Sequence, residues 1–220
     1  TQWGVKLRFA IQNKPEGIAQ AILIGNEFLG DSHLALALGD NLFHGNDLGS
    51  LLNSANNRIH GSTIFAYSVR NPQDYGVVGF DKNGSVLSLE EKPDKPVSNY
   101  AITGLYFYDN TVIEKASKLD FSSRGELEIT SLNQLYLDNN SLFVELMGRG
   151  LAWFDTGNFD SLLEAGSYIR TLEGRQGLKV GCPEEIAWRN KWINDKKMRT
   201  HIKKNKSSDY GEYLAKILKK

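Results

Sequence analysis

The sequence predicts an α/β fold: a mostly parallel sheet flanked by helices, followed by a C-terminal helical appendage. Three observations carry this. Apolar strand-like runs alternate with amphipathic stretches over residues 5–69. The middle of the chain switches to hairpin signals, and the pattern from about Leu178 onward is helical and basic.

Taken in order, "VKLRFAI" (5–11) alternates as a strand does. "KPEGIAQAILIGNEFLG" reads as a loop and a helix, with Ile18, Ala21 and Ile22 on one side and Gly30 as the stop. "HLALAL" (33–38) is apolar at almost every position, the pattern of a central strand covered on both faces. "LGSLLNSANN" is a helix and "STIFAYSV" a strand. "VVGFDKNGSVLSLEEKP" forms a hairpin about Asn83-Gly84, and "YAITGLYFYDN" is a further strand. Thr111 and Glu114 have capping-box spacing before "VIEKASKL". "GELEITSLNQLYLDNN" is a helix and "LFVELMG" a strand. "LAWFDTG" is a strand and turn before a helix that Ser161 and Glu164 open as a capping box. Pro183 starts a helix at a first-turn position. Trp188, Trp192 and Ile193 fall at i, i+4 and i+5 and are expected to pack on one side of it. The division follows as residues 1–177 for the core and 178–220 for the helical segment.

Composition narrows the function. Lysine plus arginine and aspartate plus glutamate both number 26, so the formal net charge is zero. That argues against duplex DNA or an anionic membrane as a bulk partner. Cys182 is the one cysteine, which precludes an intrachain disulfide and fits a reducing cytoplasm; beside Pro183 and far from any His, it reads as structural. The sequence has no phosphate-binding G-x-x-x-x-G-K-[ST] loop, no G-x-S-x-G elbow, no Asp-x-Asp and no metal-type spacing among its four His.

Chemistry concentrates at strand ends. "LALALGDNLFHG" runs an apolar stretch into Gly39 and Asp40, where open α/β sheets bind ligands. Asp40 can hold a hard cation such as Mg²⁺, or cap the following turn. Asp155 repeats the pattern in "AWFDTG"; it can share that cation or cap the next helix, a job for which Asp160 and Ser161 are better placed. In "SLEEKP", neighbours on a strand face opposite ways, so one of Glu90 and Glu91 faces inward, and Lys92 suits a phosphate. These charges, like Arg124 in "SSRGELEIT", can equally be solvated.

The ordered stretches "GIAQA", "LGDNLFHG", "YGVVGFD", "LEEKP", "SNYAITGLYFYD", "RGELEIT", "GRGLAWFDTG" and "RQGLKVGCPEEIAWR" closely resemble bacterial glucose-1-phosphate thymidylyltransferases, sugar nucleotidyltransferases that open dTDP-rhamnose synthesis. The resemblance runs from Gln2 to about Tyr213. It implies a Rossmann-like mixed sheet of the nucleotide-diphospho-sugar transferase type. It also implies a Mg²⁺-dependent reaction in which dTTP and α-D-glucose 1-phosphate give dTDP-glucose and pyrophosphate, and a cytoplasmic homotetramer. By position it makes Asp40 and Asp155 the Mg²⁺ ligands and Gln12 and Gly17 contacts to thymine. Tyr75, Gly76, Glu91 and Ile102 line the sugar, and Lys92 meets the sugar phosphate with Arg124 nearby. Gly45 and Arg149 fall at a secondary nucleotide site used for product feedback. Ser131 and Phe154 depart from the family's usual Asp and Leu. The family's first strand and its triphosphate-cradling G-x-G-T-R-L loop would precede Thr1. The fold is therefore expected to be N-terminally truncated and the 220-residue chain to turn over poorly by itself. Alternatives are a non-catalytic remnant that still binds sugar nucleotide, and an enzyme using another nucleoside triphosphate or hexose phosphate.

Overall fold

In the computed structural model, which describes residues 2–219, strand β6 (Tyr100–Tyr108) is the spine of the larger unit, residues 10–162. One side of β6 pairs antiparallel with β3 (Ser62–Ser68). Its other side is shared end to end by β4 (Gly76–Phe80), which meets Ala101, and β1 (Leu34–Ala37), which runs from Leu105 to Tyr108. The interruption at Thr103 and Gly104 is where the candidate site lies. β4 continues into the hairpin partner β5 (Val86–Glu91). The predicted Asn83-Gly84 turn closes it, with Gly84 at φ 84° and Asp81 Oδ1 accepting the N–H groups of Asn83 and Ser85. β7 (Leu142–Met147) runs parallel to β3. Among the described residues this is the one parallel pairing, so the sheet is mixed rather than mostly parallel.

Strand alternation sorts two cores. Ile64 and Ala66 of β3, with Ile102, Tyr106 and Tyr108 of β6, face α1 (Ile18–Ile24), α4 (Val112–Ala116) and α5 (Ile129–Asp138). Phe65, Ala101 and Leu105 face α3 (Leu48–Asn56) and a two-stranded ribbon of β2 (Asn41–His44) and β8 (Ala152–Asp155). A short α2 (Asn26–Leu29) ends at Gly30, as its spacing predicts.

The other compact unit joins the residues up to Phe9 to residues 163–219, whereas the sequence suggested a division at 177/178. α6 (Phe159–Gln176) runs into it, followed by α7 (Pro183–Arg189), α8 (Asp195–Lys204) and α9 (Asp209–Leu218). Asn194 and Ser208 cap α8 and α9, and Cys182, Met198, Leu214 and Ile217 form the core. Buried Glu184 accepts hydrogen bonds from the Tyr210 hydroxyl and, at 3.1 Å, the Trp3 indole.

Several sequence expectations yield to packing. Residues 5–11 take part in neither sheet, and Phe9 is 94% exposed; alternation makes a strand only where a sheet edge offers a partner. β1 pairs with β6 alone and leaves Ala35 and Ala37 exposed, so it is not covered on both faces. Neither capping box closes. Thr111 Oγ1 donates to Asp109 instead (2.5 Å), and Glu114 pairs with Lys118. α6 starts at Phe159, with Asn158 Oδ1 accepting from Ser161 N–H at 2.9 Å. α7 ends before Trp192, and Lys191 at φ 60° breaks its phase. Ile193 is buried and Trp188 packs on the helical core, while Trp192 is 52% exposed.

Candidate active site

The β2–β8 ribbon was not foreseen, and it decides the geometry. Its register sets Asn41 opposite Asp155, so Asp40 and Asp155 meet at one end. Thr156 donates twice to the Asp40 carbonyl, from N–H at 2.8 Å and Oγ1 at 2.7 Å, which pins that corner. Both carboxylates face the space beside Gly157. A Cβ there would lie 3.3 Å from Asp155 Oδ1 and 3.8 Å from Asp40 Oδ2. Asp155 Oδ1 accepts from the Gly157 N–H at 3.2 Å, so the two carboxylates, 115 residues apart in sequence, flank one glycine, and neither caps a helix. Among the described residues, no group of three or more His, Cys, Asp or Glu could hold a metal. Two carboxylates are hard oxygen donors of the kind Mg²⁺ takes, and they fall short of the four ligands of a structural zinc or the six to eight of calcium.

Beside this corner lies a cavity of about 260 Å³ at the gap between β4 and β1 along β6. Tyr75, Gly76, Glu91, Lys92, Ile102, Arg124 and Asp155 line it together. Strand pairing explains the convergence: Gly76 is opposite Glu91, and Lys92 N–H donates to the Tyr75 carbonyl at 3.0 Å. Alternation aims Glu91 inward, where Oε2 accepts from Thr130 Oγ1 at 2.5 Å. Gly76 keeps the floor open, since a Cβ would sit 3.3 Å from Glu91 Oε2 and 3.2 Å from Thr130 Oγ1. Lys92 itself has φ 43°, a left-handed conformation unusual for a side-chain-bearing residue.

Arg124 is not the isolated loop arginine its sequence context allows. Its guanidinium faces Glu126 at 3.2 Å, Glu91 at 3.5 Å and Glu128 at 3.8 Å. Desolvation works against the charge, but Glu128, Glu126 and Glu91 outweigh it and hold the pKa above its ordinary value. Ser122 folds the loop beneath it, donating to Glu128 Oε1 at 2.8 Å and accepting from the Arg124 and Glu126 N–H groups. Burial, then Asp155 and Asp74, push the Tyr75 hydroxyl pKa upward, so it remains a neutral donor.

Gln12 and Gly17 lie outside the cavity lining and reach it through the loop. Gln12 Nε2 donates to the Gly17 carbonyl at 3.1 Å. Gly17, at φ 101°, packs directly on the Leu127 backbone, which is stitched to Glu16 O (2.8 Å) and Ala19 N–H (3.2 Å). Gly45 and Arg149 are elsewhere again. Gly45 packs on the Gly148–Leu151 turn, at the opposite end of the ribbon from the two aspartates.

Sequence reasoning overlooked Asn41, Trp153 and Thr130. Trp153 stands two residues before Asp155, so strand alternation alone sets both on one face. Its indole donates to Asn41 Oδ1 at 2.6 Å, and its ring lies 5.2 Å from that of Tyr75.

A family model described as nucleotidyl transferase matches residues 1–171. A glucose-1-phosphate thymidylyltransferase of Mycolicibacterium smegmatis is 55% identical over 218 residues, 99% of this chain and 75% of that protein. One from Neisseria meningitidis is 47% identical over 220 residues, 100% of this chain and 76% of that protein. Among solved structures, a Bacillus anthracis protein assigned as a glucose-1-phosphate thymidylyltransferase, in complex with a sucrose, superposes with a TM-score of 0.72 at 33% identity. The match covers 84% of this chain and 71% of that one. A UDP-glucose pyrophosphorylase complexed with UDP-glucose shares the fold, with a TM-score of 0.62 at 22% identity over 73% of this chain and 65% of that one. With a family model spanning most of its length and a relative identical at more than half of the aligned positions, the chain belongs to the nucleotidyl transferase family, among its glucose-1-phosphate thymidylyltransferases.

Proposed function

We propose that this chain carries the site for thymidylyl transfer from dTTP to α-D-glucose 1-phosphate, giving dTDP-glucose and pyrophosphate, on the route to dTDP-rhamnose. One observation supports this above all. A single cavity joins a floor of Gly76, Glu91 and Ile102 to the cations of Lys92 and Arg124 and to Asp155, with Asp40 alongside. The base and the sugar are those in the names of the relatives.

A sugar phosphate oxygen attacks the α-phosphorus in line, a P–O bond forms, and the bond to pyrophosphate breaks with its electron pair. No covalent intermediate with the protein is needed, so catalysis is positioning and charge neutralisation. Lys92 and Arg124 offset the charge of the sugar phosphate, Glu91 accepts from sugar hydroxyls, and Tyr75 donates. Asp40 and Asp155 would hold Mg²⁺, which supplies positive charge to phosphate oxygens when bound. The cavity needs such a cation, because the carboxylates of Asp74, Glu91, Glu126, Glu128 and Asp155 outnumber its basic side chains. Gln12 and Gly17 serve the thymine side, and Gly45 and Arg149 a separate nucleotide site at the far end of the ribbon. We further infer a cytoplasmic homo-oligomer. The lone, buried Cys182 suits a reducing compartment, and among the described residues no helix is long and apolar enough to cross a membrane.

Calorimetry tests the reading. With Mg²⁺ present, dTDP-glucose should bind the cavity in competition with glucose 1-phosphate and more tightly than UDP-glucose. Absence of binding, or equal affinity for both nucleotide sugars, would overturn the assignment of substrate.

A further inference from the structure

Asn41 directly follows Asp40 and has a defined job that its neighbours reveal. Its Oδ1 accepts two hydrogen bonds, from Gly104 N–H on β6 at 2.9 Å and from the Trp153 indole on β8 at 2.6 Å. Both partners can only donate, so the amide has one orientation, and Nδ2 must point the other way. There it donates to Asp40 Oδ1 at 2.9 Å. Gly104 is the seat of this arrangement, since a Cβ on it would come within 2.6 Å of the Asn41 amide carbon. Residues 63 and 112 positions away in sequence thus clamp one side chain from behind.

The clamp matters because a carboxylate on an exposed turn rotates easily about its last torsion. Asn41 occupies Oδ1. The remaining oxygen, Oδ2, is the one nearer Gly157, whose N–H Asp155 Oδ1 accepts at 3.2 Å, so the two oxygens flank the same glycine. We propose that Asn41 is a positioning residue. By engaging Asp40 Oδ1 it turns Oδ2 toward Asp155, so that the two oxygens are preorganised for one divalent cation. The inference rests on the reading of Asp40 and Asp155 as metal ligands. Groups that orient a metal ligand in this way typically contribute roughly 10- to 100-fold to metal affinity.

The test needs no turnover. Mn²⁺ is titrated into the purified 220-residue chain and the free ion is followed by electron paramagnetic resonance, with thermal melting recorded for each variant. Asn41→Ala should weaken Mn²⁺ binding at least about tenfold. Gly104→Ala should do the same, although it removes no polar group from the site. Wild-type affinity in both variants would overturn the proposal. Asp155→Asn separates the two levels of the argument. If it leaves Mn²⁺ affinity unchanged, the metal reading fails and the positioning role falls with it. If it abolishes binding while Asn41→Ala does not weaken it, the positioning role alone fails. A variant-free measurement covers the case in which Asn41→Ala does not fold. In wild-type protein titrated with Mg²⁺, the Asn41 side-chain amide and Trp153 indole NMR signals should shift together along one binding curve; signals that stay put at saturating Mg²⁺ would refute the proposal.

Discussion

Gly17→Ala should damage the sugar-phosphate side of the site although Gly17 lies on the side assigned to thymine. The backbone there has φ 101° and ψ 161°, a region nearly closed to residues with a Cβ. An added Cβ would abut the Leu127 carbonyl and lie 2.6 Å from the Leu127 nitrogen. Both obstacles are backbone, so neither can swing aside. Leu127 is stitched to Glu16 and Ala19, and the loop below it carries Arg124. Strain of this kind costs about 1–3 kcal/mol. If the loop shifts to relieve it, that energy is withdrawn from the binding-competent geometry, and glucose 1-phosphate affinity falls roughly 5- to 150-fold. The assay is calorimetric titration of glucose 1-phosphate, with Gln12→Ala as the control. Gln12 is exposed and bonds only to Gly17 O and Gln20 among the contacts described, so its loss should change sugar-phosphate affinity less than about twofold. Unchanged glucose 1-phosphate affinity in a folded Gly17→Ala protein would refute the coupling.

Lys92→Gly should separate charge from fold: it relieves a left-handed backbone at φ 43°, so stability is kept or rises by about 1 kcal/mol, while glucose 1-phosphate binding collapses in the same sample. Gly76→Ala crowds Glu91 Oε2 and Thr130 Oγ1 and should weaken that ligand about tenfold or more, while stability measured by thermal melting falls by about 1–3 kcal/mol. For Asp109, burial raises the carboxyl pKa, but hydrogen bonds from Thr111, Gly61 and Tyr136 outweigh it and hold the pKa below its ordinary value. A lowered folded-state pKa stabilises the protein above the ordinary value and is lost as pH falls through the folded one. Asp109→Asn should therefore lower the melting temperature at pH 7 and flatten its decline below about pH 4; an unchanged acid limb would contradict this.

What could be read from the sequence was what short range decides. The Asn83-Gly84 turn, the strands β3 and β6, and the inward aim of one glutamate of the Glu90–Glu91 pair are properties of neighbouring residues, and the structure keeps them. Burial of β1 was misjudged because an apolar run reports hydrophobicity and not whether a neighbour covers it. Both capping boxes failed because a competing acceptor, Asp109, or a better-placed cap, Asn158, lay nearby. The role of Arg124 was half legible, since Glu126 and Glu128 are local while Glu91 arrives through the hairpin. Asn41 was unreadable in principle: its partners Gly104 and Trp153 reach it only when β2, β6 and β8 are assembled.

A metal at Asp40 and Asp155 and a phosphate at Lys92 are proposed to lie within reach of one another. Paramagnetic broadening of the ³¹P signals of dTDP-glucose by substoichiometric Mn²⁺ tests it directly, with protein-free Mn²⁺ as the baseline. Broadening well beyond that baseline is expected in the wild-type protein, with return to it in both Asp155→Asn and Lys92→Ala. Broadening that survives Asp155→Asn, or wild-type protein that adds none, would contradict it.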